Sequence, residues 1–137
     1  MSYSSVDEAL LIAQDTNASS QTRESAINYL DSHATPEVID SLIELLETDD
    51  PGVRWRSANA LAKMGRDALV PLLHALLDKS DSRWLMEGAY HVLRDNRSPE
   101  VTKMTEGLRA AMKGSGAAIA TITAAGELLV KLAGEGV

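Results

Sequence analysis

The amino-acid sequence predicts an all-α protein, an α–α superhelix of about four helical hairpins with a repeat of about 31 residues. A helix-start segment at residues 35–38 recurs at residues 98–101, a separation of about two such repeats. Apolar residues recur at the same spacing, which is typical of repeat architectures. No stretch alternates apolar and polar residues over the length of a strand, so no sheet is expected.

Capping residues mark four helix starts. Thr35 and Ser98 each supply a hydroxyl N-cap and are followed by a proline and a glutamate, which suit the first turn of a helix. Ser5 and Glu8 form a capping box, and Asp50 is an N-cap before another proline. Helices are therefore expected to begin directly after each of these caps.

One apolar stripe recurs in the next repeat. The first copy is Ile39, Leu42, Leu45 and Leu46, and the second is Val70, Leu73, Leu76 and Leu77. Both copies have the spacing of one face of an amphipathic helix. Each repeat therefore reads as two helices, A and B, and stacking buries the stripe that one pair cannot bury alone.

The predicted helices form four A–B pairs in a single domain of 137 residues. The A helices are expected near 6–15, 36–48, 68–78 and 99–112, and the B helices near 21–32, 51–64, 82–95 and 116–133. The repeats span about 6–34, 35–65, 66–97 and 98–133. Gly65 and Gly114 are expected just past helix C-termini, the usual place for glycine.

Composition excludes several functional classes. The chain has no cysteine, which excludes disulfides, thiolate metal sites and cysteine nucleophiles. No apolar run approaches the ~20 residues of a membrane span, and the N-terminus lacks the features of a secretory signal. We therefore expect a cytoplasmic protein without a membrane partner. The net charge of −7 argues against a nucleic-acid partner.

Charge is distributed unevenly along the chain. Residues 1–50 contain eleven acidic residues and one basic residue, whereas residues 51–137 contain nine acidic and twelve basic residues. This asymmetry either serves solubility or selects a partner electrostatically.

No motif for catalysis or metal binding is present. The three histidines, His33, His74 and His91, have no histidine or cysteine at the spacing of a metal site. There is neither a Gly-x-Ser-x-Gly elbow nor a Walker A loop, and Gly114-Ser115-Gly116 is interpreted as a turn. No catalytic residue, metal or cofactor is therefore predicted.

Residues 50–65 carry the most specific signal, and they read DPGVRWRSANALAKMG. The segment resembles the B helix of a HEAT repeat, in particular of the phycobilin-lyase HEAT-like family, whose pattern is approximately D-P-x-V-R-x-x-A-x-x-A-L-x-x-[IL]-G. The resemblance is clearest over residues 36–95 and implies a HEAT-like solenoid. It also implies that Arg23 and Arg54, which share one repeat position, pair with acidic residues of adjoining turns. Trp84, at the repeat position of Val53, is expected in the core.

The exposed side of the B helices is expected to form the concave face of the solenoid, the usual binding surface of such proteins. The residues predicted there are Trp55, Arg56, Asn59, Met86, Glu87 and Tyr90. Tryptophan, tyrosine and arginine dominate binding hot spots, so the predicted function is a non-catalytic protein-interaction or scaffold module for an unknown protein partner. The alternative for Trp55 is ordinary packing over the next helix.

A second set of basic residues recurs at the ends of B helices. Its members are Lys63, Arg66, Arg94 and Arg97. They either complement helix dipoles or form a basic ridge for an acidic partner.

Two further alternatives concern ligand binding and assembly. The family resemblance implies a bilin-lyase-type subunit in which Trp55 and Tyr90 stack on a tetrapyrrole and Arg56 or Arg94 binds its propionates. The alanine-rich final helix, which also contains Leu128, Leu129 and Leu132, either caps the stack or leaves an uncapped end that pairs two chains as a homodimer.

Overall fold

A computed structural model describes residues 5–114 and 116–135 of the chain. Regular structure in these two ranges consists of nine α-helices and one 3-10 helix, without a strand, which confirms the all-α fold. The α-helices are α1 Val6–Gln14, α2 Ser20–Leu30, α3 Pro36–Leu45, α4 Pro51–Lys63, α5 Leu69–Asp78, α6 Arg83–Arg94, α7 Pro99–Met104, α8 Glu106–Lys113 and α9 Ala117–Gly134. The 3-10 helix spans Gly65–Ala68.

Helix boundaries follow the capping residues. Side-chain oxygens of six residues accept hydrogen bonds from backbone N–H groups of the following turn: Ser5, Ser19, Thr35, Asp50, Ser82 and Ser98. The four predicted helix starts are among them. Gly65 follows α4 with a φ of 63°, as expected for glycine past a C-terminus. Gly114 ends α8 in an extended conformation, and Ser115 of the predicted turn lies outside the described residues.

The helices form two layers with an aliphatic core between them. α1, α3 and α5 lie side by side in what we call the A layer, and α2, α4 and α6 lie side by side in the B layer. The buried core consists mainly of leucine, isoleucine, valine and alanine, including Leu30, Leu42, Leu61 and Leu73. Both tryptophans remain outside this cluster.

Trp84 is therefore not a core residue, and its predicted burial is wrong. It is 39% exposed, whereas its neighbour Leu85 is buried. The N-cap of α6 is Ser82, which lies 32 rather than 31 residues after Asp50, the N-cap of α4. One residue rotates a helix by about 100°, so Leu85 takes the buried position of Val53. The Arg54 guanidinium lies over the Trp84 ring, 4.2 Å from its centroid.

The last two helices exchange layers. α8 packs beside α6 in the B layer, whereas α9 packs against α5 in the A layer. Residues 99–112 were predicted as an A helix and 116–133 as a B helix, so that assignment is wrong. Thr105 separates α7 from α8, and its buried hydroxyl donates to the Val101 carbonyl at 2.7 Å. Such back-bonding by threonine often bends helices, and the break between α7 and α8 lies at this residue.

The repeat arginines bind backbone carbonyls rather than carboxylates. Arg23, which is 4% exposed, donates from Nε to the Ala13 carbonyl at 2.9 Å. Arg54 donates from Nη1 to the Thr48 carbonyl at 2.7 Å. These carbonyls lie at or just beyond the C-terminal ends of A helices, where the helix leaves them without partners. The predicted arginine–carboxylate ladder is wrong, and the arginines instead cap the preceding helix.

α9 is the longest helix of the described chain and is largely apolar. Its 18 residues have a mean hydropathy of 1.4, which by length and composition alone suffices to cross a membrane and corrects the expectation that no segment approaches this length. Thr121, Ala125 and Leu128 are buried where α9 packs on α5 and α8, an arrangement shared with packed helices of globular folds. Ile119 and Val130 are exposed. A homodimer through α9 stays a prediction.

Candidate functional site

Trp55 stands at the centre of the predicted binding surface. It lies in the first half of α4 and is 57% exposed, so its packing over the next helix is only partial. Its indole packs on the imidazole of His91 in α6, with ring centroids 4.3 Å apart and planes inclined by 33°. The contact fixes the indole on the surface of the B layer.

A groove of about 390 Å³ runs along α6 between α4 and α8. The residues around it are Trp55, Met86, Glu87, Tyr90, His91, Arg94, Met112 and Lys113. Four of the six residues predicted for the binding face meet here, and Arg94 joins them from the predicted basic ridge. We call this cavity the central groove.

Arg56 and Asn59, the other two predicted residues, lie in a neighbouring depression of about 270 Å³. Lys63 and Arg97 of the predicted ridge border the same depression. Arg56 forms an ion pair of 3.8 Å with Glu24 of α2. The predicted face is therefore divided in two, and Asn59 reaches the central groove only through a hydrogen bond to His91.

Three members of the predicted basic ridge pair with carboxylates. Lys63 lies 3.1 Å from Asp31, and Arg94 lies 2.8 Å from Asp95. Arg66, near the 3-10 helix, pairs with Glu100 and with Glu135. The fourth member, Arg97, is exposed and donates its backbone N–H to the Ala62 carbonyl at 2.9 Å.

His91 is buried beneath the indole and is held on both ring nitrogens. Nε2 lies 2.7 Å from Oδ1 of Asn59, and Nδ1 lies 3.2 Å from Nη2 of Arg94. Burial lowers the pKa of His91 below 6.5, and the Arg94 charge adds to this effect while Asp95 opposes it. Nδ1 also lies 3.0 Å from Oδ2 of Asp95. The neutral ring donates from Nε2 to Asn59 and can accept at Nδ1 from Arg94, whereas a protonated ring donates from Nδ1 to Asp95.

The stability of the protein should therefore depend on pH through His91. A histidine whose pKa is lowered by folding takes up a proton more readily in the unfolded chain, so its stabilising contribution is complete above 6.5 and is lost as the pH falls below that value. We expect the difference in unfolding free energy between wild type and His91→Gln to decrease from pH 7 to pH 5. Urea titrations followed by circular dichroism at each pH measure it, and a constant or rising difference would contradict this reading.

Tyr90 lies among cationic groups from two helices. The ammonium of Lys113 in α8 is 4.6 Å from the ring centroid, and the guanidinium of Arg94 is 5.9 Å from it. A hydrogen bond from Lys113 is the main reason that the pKa of Tyr90 falls below 10.0, and the charge of Arg109 contributes. This end of the central groove is therefore positively charged.

Sequence reasoning missed three residues of the central groove: His91, Met112 and Lys113. The two from α8 were missed because residues 99–112 were predicted to lie in the A layer. His91 lies 32 residues after Asn59, the register that α6 follows, and the assumed repeat of 31 residues placed it at the position of Ala60 instead.

The site has the chemistry of a binding surface. It combines aromatic rings and thioethers, which bind apolar side chains, with cations at one end. Within residues 5–114 and 116–135, no three histidine, aspartate or glutamate side chains form a group that could hold a metal ion.

Comparison with known proteins supports the repeat architecture. A family model described as HEAT repeats matches residues 7–113, which is more than half of the chain and includes the central groove. No curated protein and no solved structure matches the chain significantly. Together with the stacked helical pairs, the family match shows that the chain belongs to the HEAT-repeat family.

Proposed function

We propose that this protein is a non-catalytic protein-interaction module and that the central groove is its binding surface. Proteins of HEAT repeats generally mediate protein–protein interactions. The observation that carries the proposal is the exposed Trp55 at the edge of the groove. An indole that is already held in place loses little conformational entropy when a partner binds. Because it is exposed, it also has much apolar surface left to bury.

Neighbouring features extend this surface. On its other side, Trp55 borders a second pocket of about 280 Å³ that also contains Trp84 and Arg54. Both tryptophans, together with Tyr90 and Met86, are thereby presented on the B layer. Large aromatic side chains are more often buried in a stable monomer. The clustering of these exposed and half-exposed side chains on one face therefore supports a surface that a partner covers.

The double variant Trp55→Ala/Tyr90→Ala tests the proposal. In affinity capture from a lysate of the source organism, read by mass spectrometry, wild type should retain a partner that the variant loses. With that partner purified, the dissociation constant should increase by at least about tenfold, the effect of removing hot-spot side chains. The helical circular dichroism spectrum should be retained because Trp55 is 57% exposed and Tyr90 is only partly buried against the core.

Leu11→Ala is the matched control, since Leu11 is also apolar and 73% exposed but lies in the A layer. It should capture the partner as wild type does. A partner retained equally by all three proteins would place the binding surface elsewhere, and unfolding of the double variant would show that the aromatic residues are structural.

A tetrapyrrole-binding lyase subunit is a second candidate. It is favoured by one observation: the rings of Trp55 and Tyr90 and the cations Arg94 and Lys113 face the same groove. Pockets of ~300–1,000 Å³ are typical for small ligands, and the central groove lies within this range. Titration of the protein with biliverdin should shift the visible absorption of the bilin if this function holds, and an unchanged spectrum would leave the protein-interaction function.

A further inference from the structure

The two layers carry opposite charge. α1, α3 and α5 of the A layer contain six acidic residues and no basic residue. α2, α4, α6 and α8 of the B layer contain seven basic and three acidic residues when the buried Arg23 is set aside. The two remaining helices, α7 and α9, each have one residue of each sign. A chain of net charge −7 thus presents a positive face on the side of the central groove.

Most cations of that face already have carboxylate partners, and the exceptions are informative. Arg56, Lys63, Arg83 and Arg94 are each within 4.0 Å of a carboxylate. Among the described ion pairs, Arg54, Arg109 and Lys113 have none: Arg54 and Arg109 donate to backbone carbonyls, and Lys113 contacts Tyr90.

Two of these three residues, Lys113 and Arg54, lie on opposite sides of Trp55. Lys113 borders the central groove, and Arg54 borders the second pocket, which Trp55 and Trp84 also line. Between them lie the apolar surfaces of Trp55, Met86 and Met112, together with Glu87, which lines both pockets and pairs with Arg83 at 3.3 Å. The order across the B layer is therefore cation, mainly apolar surface, cation.

We propose that the partner segment is an acidic peptide in which a large apolar side chain is flanked on both sides by carboxylates. This inference depends on the proposed function, since it specifies the occupant of the same surface. The apolar side chain fills the central groove against Trp55, and the carboxylates approach Lys113 and Arg54. The overall charge of −7 disfavours a nucleic acid, which gains little from two or three unpaired cations.

Selection from a library of random twelve-residue peptides on the immobilised full chain tests the proposal. We expect enrichment of sequences that place tryptophan, phenylalanine or leucine between aspartates or glutamates. The affinity of a synthetic enriched peptide, measured by fluorescence anisotropy, should fall about three- to tenfold between 50 and 300 mM NaCl because screening weakens exposed charge pairs.

Charge reversal provides the matched comparison. Lys113→Glu should lower the affinity for the enriched peptide by about tenfold. Lys131→Glu, an equivalent change in α9 of the A layer, should leave its affinity unchanged.

The outcomes separate this inference from the proposed function. Enriched peptides without acidic residues, or equal affinity of a peptide for wild type and Lys113→Glu, would overturn the acidic partner. The central groove would still stand as the binding surface if Trp55→Ala weakened the binding of those peptides. Insensitivity to Trp55→Ala, or no enrichment over a bare surface, would overturn both. Comparable affinity for a twelve-nucleotide thymidine strand would overturn the peptide in favour of a nucleic acid.

Discussion

Leu61→Ala is expected to destabilise the fold by about 2–5 kcal/mol, the usual cost of removing a leucine from a packed core. Leu61 is 0% exposed and lies in α4, which packs against α2, α3 and α6. In a stack of repeats, stability depends on interfaces between neighbours. A cavity beside α4 weakens its contacts with the neighbouring B helices, α2 and α6, and with α3, the A helix of its own pair. Urea unfolding monitored by circular dichroism at 222 nm measures the loss.

Leu11→Ala removes the same number of atoms from an exposed site of α1. Its effect should stay within about 0.5 kcal/mol, as for most surface substitutions. Similar losses for the two variants would contradict the placement of Leu61 at the centre of the core.

Arg23→Met is expected to cost about 1–3 kcal/mol, because methionine retains much of the buried volume but leaves the Ala13 carbonyl without its donor. Arg23 is almost completely buried, so water cannot readily replace the guanidinium. Arg54→Met removes the equivalent group in the next repeat. That site is only half-buried, so water can reach the Thr48 carbonyl and the loss should be smaller.

The same urea titrations compare the two arginine variants. A larger loss for Arg54→Met than for Arg23→Met would contradict the capping role. Restoration by Arg23→Lys would indicate that the positive charge alone suffices, rather than the reach and fixed geometry of the guanidinium.

The first six helices could be predicted because local chemistry determines them. A hydroxyl or carboxylate cap marks the start of five of these six helices, and Thr35 and Asp50 act as predicted. The exception is α5, which follows the 3-10 helix without a side-chain cap. Periodic apolar residues then fix which face is buried. The error at Trp84 arose from assuming a constant repeat of 31 residues, because the cap at Ser82 shifts the start of α6 by one position.

The arrangement of the last pair could not be predicted by the same reasoning. An apolar stripe shows that a helix is buried but not which neighbour covers it. The exchange of layers accompanies the break at Thr105, whose buried hydroxyl donates to the Val101 carbonyl in addition to the regular backbone hydrogen bond. A threonine followed by Glu106 and Gly107 within an expected helix is the only local sign of this break.

The part of the candidate site that belongs to regular repeats could be predicted from the sequence, and the part that depends on the last helices could not. Trp55, Met86 and Tyr90 meet because α4 and α6 are successive B helices. Met112 and Lys113 complete the groove from α8, whose position depends on tertiary packing. Sequence periodicity therefore found the apolar centre of the groove and Arg94, but not Met112 and Lys113.

Chemical-shift mapping tests the central claim most directly. The ¹⁵N-labelled protein is titrated with an enriched acidic peptide, and amide and indole resonances are followed. We predict the largest changes at the Trp55 indole and along α4, α6 and α8, with little change in α1 and α3. Changes confined to the A layer or to the exposed face of α9, with the Trp55 indole unaffected, would contradict the central groove as the binding surface.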